Sequence, residues 1–113
     1  MDNVHIPQLI NGGWRDLEFA PFREGIEVAW IKTGEPALAV LRYAPGAEVP
    51  LHLHTDVEMI LVMEGSQSDD LGTYKTGDLV VNPKDSTHRV FSTDGCVVLL
   101  HWSKPVVFLE MPT

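Results

Sequence analysis

The chain has 113 residues and a formal charge of −8, with eight Lys and Arg against sixteen Asp and Glu; that length suits one domain with a core of its own. The hydrophobic fraction of 44% and the charged fraction of 21% are ordinary globular usage. No run of Lys and Arg offers a footprint for phosphate backbones, which excludes nucleic acid as a partner, and no apolar run approaches the length that spans a bilayer.

Met1-Asp2-Asn3-Val4-His5 lacks the basic and apolar regions of a signal peptide. The single Cys96 allows no internal disulfide and fits a reducing compartment. A cytoplasmic location is therefore expected. Asn11-Gly12-Gly13 is a turn signal, Trp14 is an anchor for the segment, and Asp16 to Ala20 alternates weakly before Pro21. Residues 1–22 are read as an arm with room for one strand, placed to lie on a second subunit, and residues 23–113 as the body of the domain.

From Ile26 onward short apolar segments recur: Ile26–Lys32, Ala37–Tyr43, Glu48–His54, Glu58–Met63, Leu79–Asn82, Thr87–Phe91, Cys96–Trp102 and Val106–Leu109. They are rich in Val, Ile, Leu and aromatics, and Gly, Pro or Asp punctuates them every eight to twelve residues or so, the spacing of an all-β sandwich or barrel. No stretch keeps a helical apolar period. Asp69-Asp70-Leu71-Gly72 reads as a hairpin loop and Thr76-Gly77-Asp78 as a tight turn. Without a repeat or linker, a single domain is expected.

The segment Glu48–His54 ends on His52-Leu53-His54. Positions i and i+2 of a strand share a face, so the two imidazoles project side by side. Glu58 follows after the Thr55-Asp56-Val57 corner, and His88 arrives from a third strand after Pro83-Lys84-Asp85-Ser86-Thr87. Imidazoles and a carboxylate are what a first-row divalent metal ion binds, and rigid strands pre-organise such ligands better than loops. A lone strand histidine is usually a satisfied polar side chain, but four candidate ligands in register count against that reading. Glu58 opens the apolar run Met59 to Met63, where an unpaired buried charge would be expensive.

The spacing also carries a resemblance. Gly46, His52, His54, Glu58 and Gly65, followed by Gly77, Pro83 and His88, are similar to the two signature motifs of the cupin superfamily over roughly residues 37 to 102. Chance assembly of the first motif is on the order of one in ten thousand. Asp85 and Ser92 depart from the usual glycine and asparagine of the second motif. Asp tolerates the turn geometry better than most residues, and neither change touches a candidate ligand. Ala39 to Gly46, Ile60 to Gly65 and Thr93 to Cys96 further resemble the ChrR-type cupins, which include the C-terminal domain of ChrR-like anti-sigma factors.

The resemblance implies an all-β cupin fold, an RmlC-like jelly-roll β-barrel. It implies one divalent metal ion per chain (Zn, Fe, Mn or Ni) and His52, His54, Glu58 and His88 as its ligands. The anti-sigma proteins also carry an N-terminal zinc-binding helical domain with a His/Cys cluster. No counterpart stands in the first twenty or so residues here, so an anti-sigma role is not expected of this chain alone.

Three imidazoles and a carboxylate leave two adjacent positions open on an octahedral ion and none on a tetrahedral zinc. Open positions suit a metal-dependent dioxygenase-type enzyme on a small oxygen-rich molecule such as a β-diketone, hydroxyketone or flavonol. A filled tetrahedron suits a non-catalytic, zinc-containing ChrR-like sensor or regulatory module. His101, on an apolar strand, is a candidate to face the cavity as a proton donor, against a core or surface position. Arg42 is a candidate to hold a substrate carboxylate, against a solvent-facing one. Trp14, Trp30 and Trp102 read as core or interface aromatics, Cys96 as a small buried hydrophobe, and Asp69, Asp70 and Glu64 as solvated loop charges. Small open-ended barrels leave edge strands for an arm or a partner to cover, so a homodimer is expected.

Overall fold

The apolar segments form strands in the structure, a computed structural model that describes residues 2–109. Among these residues ten strands follow a short 3-10 turn, Gly13–Asp16: β1 (Ala20–Arg23), β2 (Ile26–Lys32), β3 (Ala37–Tyr43), β4 (Glu48–Leu53), β5 (Glu58–Asp69), β6 (Gly72–Lys75), β7 (Leu79–Asn82), β8 (Thr87–Phe91), β9 (Cys96–Trp102) and β10 (Val107–Phe108). Neighbouring strands run antiparallel in the order β1-β2-β3-β9-β5-β8-β4-β10, with β6 and β7 also paired to β5. The result is the curled, nearly all-β half-barrel expected of a cupin.

The curl is made within β5. Its first half pairs with β9 and β7, and its last residues with β6 and β8. Between them lie a register shift at Val62/Glu64 and Gly65 at φ +76°. A Cβ on Gly65 would stand 2.2 Å from the Gly95 carbonyl oxygen, so the corner where the strand changes sheets closes only on glycine. The sequence reading ended this strand at Met63, because Glu64-Gly65 looks like a turn.

Two apolar clusters occupy the two faces of the β2-β3-β9-β5 sheet. Inside the curl lie Ile26, Val28, Ala39, Leu41, Tyr43, Ile60, Val62, Val90, Val98 and Leu100. Outside, Ala29, Val40, Met63 and Val97 are covered by Trp14, with Leu9, Leu17 and Phe19 beside it. The arm thus packs on its own sheet, anchored by Trp14 edge-on to Phe19. Its strand is Ala20–Arg23 rather than Asp16 to Ala20. Pro21 fits there because β1 is an edge strand, where a missing N–H costs no ladder bond. Among the described residues no helix is long and apolar enough to cross a membrane.

Candidate metal centre

The inner face of β4 and β8, with the residue just past β4, carries the histidines, and the start of β5 carries the carboxylate. In β4 the pairing to β8 shifts between Val49 and His52. Pro50, which has no N–H to donate, lies in that bulge, and such an irregularity re-aims the side chains that follow it. His52 then stands directly opposite His88 of β8. His54, just past β4, is clasped by the 83–86 turn: its N–H donates to the Ser86 carbonyl at 2.9 Å, and Asp85 N–H donates to its carbonyl at 2.8 Å. Asp85 holds φ +72°, the left-handed conformation that glycine supplies in the related motifs and that Asp tolerates. Glu58 opens β5 and faces Asn82 of β7 and Trp102 of β9.

These placements bring His52, His54 and His88 together. One ring nitrogen of each lies within 4.8 Å of those of the other two, with ring centroids 4.6–5.1 Å apart. All three are buried, as is Glu58 at 3% exposure. Glu58 Oε1 stands 3.3 Å from His54 Nε2 and accepts from Asn82 Nδ2 at 3.1 Å.

The far side of each ring is committed to an acceptor. His52 Nδ1 lies 2.8 Å from the Pro50 carbonyl, and His88 Nδ1 lies 3.1 Å from the Asp69 carboxylate. His54 Nδ1 lies 2.9 Å from the Ser86 hydroxyl oxygen; that hydroxyl spends its own proton on the Pro83 carbonyl at 2.6 Å. Each Nδ1 must therefore carry the proton, which leaves a lone pair on each Nε2. The Nε2 atoms of His54 and His88 are buried without a hydrogen-bond partner. Buried lone pairs facing one another beside a carboxylate are costly unless a cation sits among them. Acceptors behind each imidazole are the arrangement metal-binding histidines use. The donor set therefore fits a divalent metal ion.

The electrostatics agree. Burial, with the His88 ring beside it, outweighs the Pro50 hydrogen bond and holds His52 below its ordinary pKa, so the metal-competent neutral ring is favoured. Burial pushes the Glu58 carboxyl up, but positive charge on the adjoining rings, His54 foremost, brings it below its ordinary value, as a cation held among neutral rings would. Asp69 likewise is raised by burial and lowered further by His88, Leu71 and Tyr74.

A cavity of about 90 Å³ adjoins the rings. His52, Glu58 and His88 line it beside Tyr43 and Gln67, and its walls are otherwise apolar, with Leu41, Ile60, Val90 and Leu100 deep and Phe22, Trp102 and Phe108 among the outer residues. Tyr43 hydrogen-bonds to Gln67, and burial pushes its phenol well above the ordinary range, so it stays protonated.

Several candidates fall elsewhere. His101 pairs with Leu38 and Met59, out of step with Leu100 and Trp102, which line the cavity; strand alternation turns it to the outer face. Arg42 alternates with Leu41 and Tyr43 in the same way, binds Glu27 at 2.9 Å and lies over the Phe19 ring at 4.2 Å. Neither reaches the cavity. Asp69 is not a solvated loop charge: its side chain is 3% exposed and holds His88. Trp102 lines the cavity and stacks on Phe22, whereas Trp14 is core. Cys96 is buried, and burial pushes its thiol up to about 11, which leaves it a small hydrophobe. Asp69 was thus misread, and Asn82, Ser86, Tyr43 and Gln67 were not singled out by the sequence reading. Ser86 alone left a signal, two residues before His88 in a turn.

The profile of the ChrR cupin-like domain family matches residues 10–106. The anti-sigma-E factor ChrR of Cereibacter sphaeroides is 28% identical over 96 residues, which cover 82% of this chain and 45% of that protein. Among solved structures, the complex of Rhodobacter sphaeroides SigE with the anti-sigma ChrR aligns with a TM-score of 0.75 at 24% identity, over 85% of this chain and 56% of that one. An acetylacetone dioxygenase from Acinetobacter johnsonii aligns with a TM-score of 0.76 at 15% identity, over 81% and 72%. At such identities the structural likenesses speak to the fold alone. The chain spans about half the length of the ChrR proteins it matches.

Proposed function

The chain belongs to the ChrR cupin-like domain family, and from that premise we propose that it is a metal-dependent cupin enzyme of the dioxygenase type, acting on a small oxygen-rich molecule of the β-diketone, hydroxyketone or flavonol class. His52, His54 and His88 would hold one divalent ion through their free ring nitrogens, with Glu58 as the fourth ligand. The observation that carries this reading is the convergence of three buried imidazoles, each with its proton committed on the far side.

A bound ion would supply Lewis acidity and, if redox-active, electron transfer to O₂. The chain supplies the rest. Neutral imidazoles keep their lone pairs available, Asn82 holds Glu58, and the apolar walls keep water away from the carbon skeleton of a ligand whose oxygens face the histidines. The protonated Tyr43 hydroxyl, braced by Gln67, is a hydrogen-bond donor for such an oxygen.

The reading is tested by elemental analysis, reconstitution with Fe(II), and O₂ uptake over a panel of β-diketones and flavonols. Substrate-dependent uptake that disappears in His52→Ala supports it. Stoichiometric zinc without uptake supports a second reading, a zinc-containing sensor or regulatory module, which the 28% identity to an anti-sigma factor favours. A cytosolic homodimer completes the proposal, and sedimentation of the purified protein tests the dimer.

A further inference from the structure

We propose that Asp69 is the positioning residue of the metal centre: its carboxylate fixes the tautomer and the aim of His88 and ties the β5–β6 hairpin to the ion. The inference rests on the metal reading above. The three histidines lean on a carbonyl, a hydroxyl and a carboxylate. Only the carboxylate is charged, and a charge-assisted hydrogen bond is roughly twice as strong as a neutral one. Both oxygens of Asp69 are also engaged. While Oδ2 faces His88, Oδ1 accepts from Leu71 N–H at 2.8 Å, Gly72 N–H at 3.2 Å and the Tyr74 hydroxyl at 2.8 Å. One oxygen builds the hairpin turn and the other holds the ligand, so the carboxylate cannot turn away from His88 without dismantling the turn.

An amide at this position separates the two jobs. In Asp69→Asn the carboxamide oxygen keeps the turn and Tyr74, and its NH₂ is left facing His88 Nδ1. Two donors then oppose each other. His88 relieves the conflict by carrying its proton on Nε2, the atom that points at the other imidazoles, and a ligand lone pair is lost.

Ring-nitrogen ¹H–¹⁵N correlation spectra and zinc affinity by chelator competition test this on the full chain. In the metal-free wild type His88 is expected to carry its proton on Nδ1. Asp69→Asn is expected to fold, to show His88 protonated on Nε2, and to bind zinc about 10–100-fold more weakly. Tyr74→Phe, which removes a hairpin bond to the same carboxylate, is expected to stay within about threefold of wild type, below the range for a lost partner of a ligand. Three results overturn the proposal: wild-type His88 protonated on Nε2, Asp69→Asn with unchanged zinc affinity, or Tyr74→Phe losing as much as Asp69→Asn. Should Asp69→Asn not fold, the wild-type spectra and Tyr74→Phe still decide. Failure of the wild type to take up zinc overturns the metal reading itself, a result distinct from normal uptake with an indifferent Asp69.

Discussion

His88 and His101 lie in two strands that both pair with β5, and each has a buried ring nitrogen without a hydrogen-bond partner, Nε2 in one and Nδ1 in the other. Only His88 belongs to the proposed site. Its free nitrogen meets those of His52 and His54, and a carboxylate behind the ring fixes its proton. His101 sits on the outer face between the strand partners Leu38 and Met59. An orphaned buried nitrogen by itself is only a cost, about 1–3 kcal/mol. It becomes a binding group where several lone pairs converge and where acceptors on the far side leave each ring no other tautomer.

The sharpest way to break the comparison is to delete each ring. His88→Ala should lower zinc affinity by more than the roughly 100-fold upper end seen for residues that stand behind a ligand, while His101→Ala should leave it within about twofold, as expected of a residue with no link to the ion. Chelator competition reads both. Equal losses would erase the distinction between the two histidines.

Metal removal should show the same contrast in stability. Zinc at a hundred times its dissociation constant adds about 2.7 kcal/mol, which for a domain of this size raises Tm by about 10 °C. Thermal melts with zinc and with chelator should show that shift in wild type and His101→Ala but not in His52→Ala.

The metal-free protein should weaken on acidification, in an order set by its buried groups. His52 is held below its ordinary 6.5 by burial, so the unfolded chain takes up that proton more readily. The stability that follows is fully present above 6.5 and is lost as pH falls through the lowered folded value. Glu58 and Asp69, held below their ordinary 4.5 and 3.8, add stability that is lost only at lower pH. Urea midpoints measured from neutral pH downward should therefore fall in two stages, and a midpoint that rises between neutral pH and 5 would contradict the assignment.

The smallest effect belongs to Asp85→Gly. At φ +72° glycine relieves backbone strain of at most about 1–2 kcal/mol, and neither the His54 carbonyl bond nor the ligand set depends on the Asp85 side chain. Metal content should be unchanged by elemental analysis.

The strands were legible where apolar β-formers end on a breaker: β2, β3, β7, β8 and β9 lie where Gly, Pro and Asp bound them. Gly65 misled because a glycine that bends a strand between sheets looks, in sequence, like one that ends it. β6 was missed because Gly72-Thr73-Tyr74-Lys75 carries no apolar alternation; it forms because the hairpin turn, fastened by Asp69, presents it to β5. The three converging histidines and Glu58 were visible from their spacing, since strand parity and short turns leave them few places to go. The groups behind them were not. Asp69 is placed beside His88 by the pairing of Ser68 with Phe91, a contact between distant parts of the chain that no local pattern encodes. His101 and Arg42 failed for the opposite reason: residue type nominated them, and strand parity put them on the wrong face.

The central claim is that one ion is shared by three Nε2 atoms and a carboxylate, and X-ray absorption at the metal edge of the zinc-loaded protein tests it most directly. The account predicts a single zinc per chain with three imidazole nitrogens at about 2.0–2.1 Å and an oxygen at about 2.0–2.2 Å, reduced to two imidazoles or to no bound zinc in His88→Ala. A zinc ringed by water, or one whose imidazole count is unchanged in His88→Ala, would contradict it.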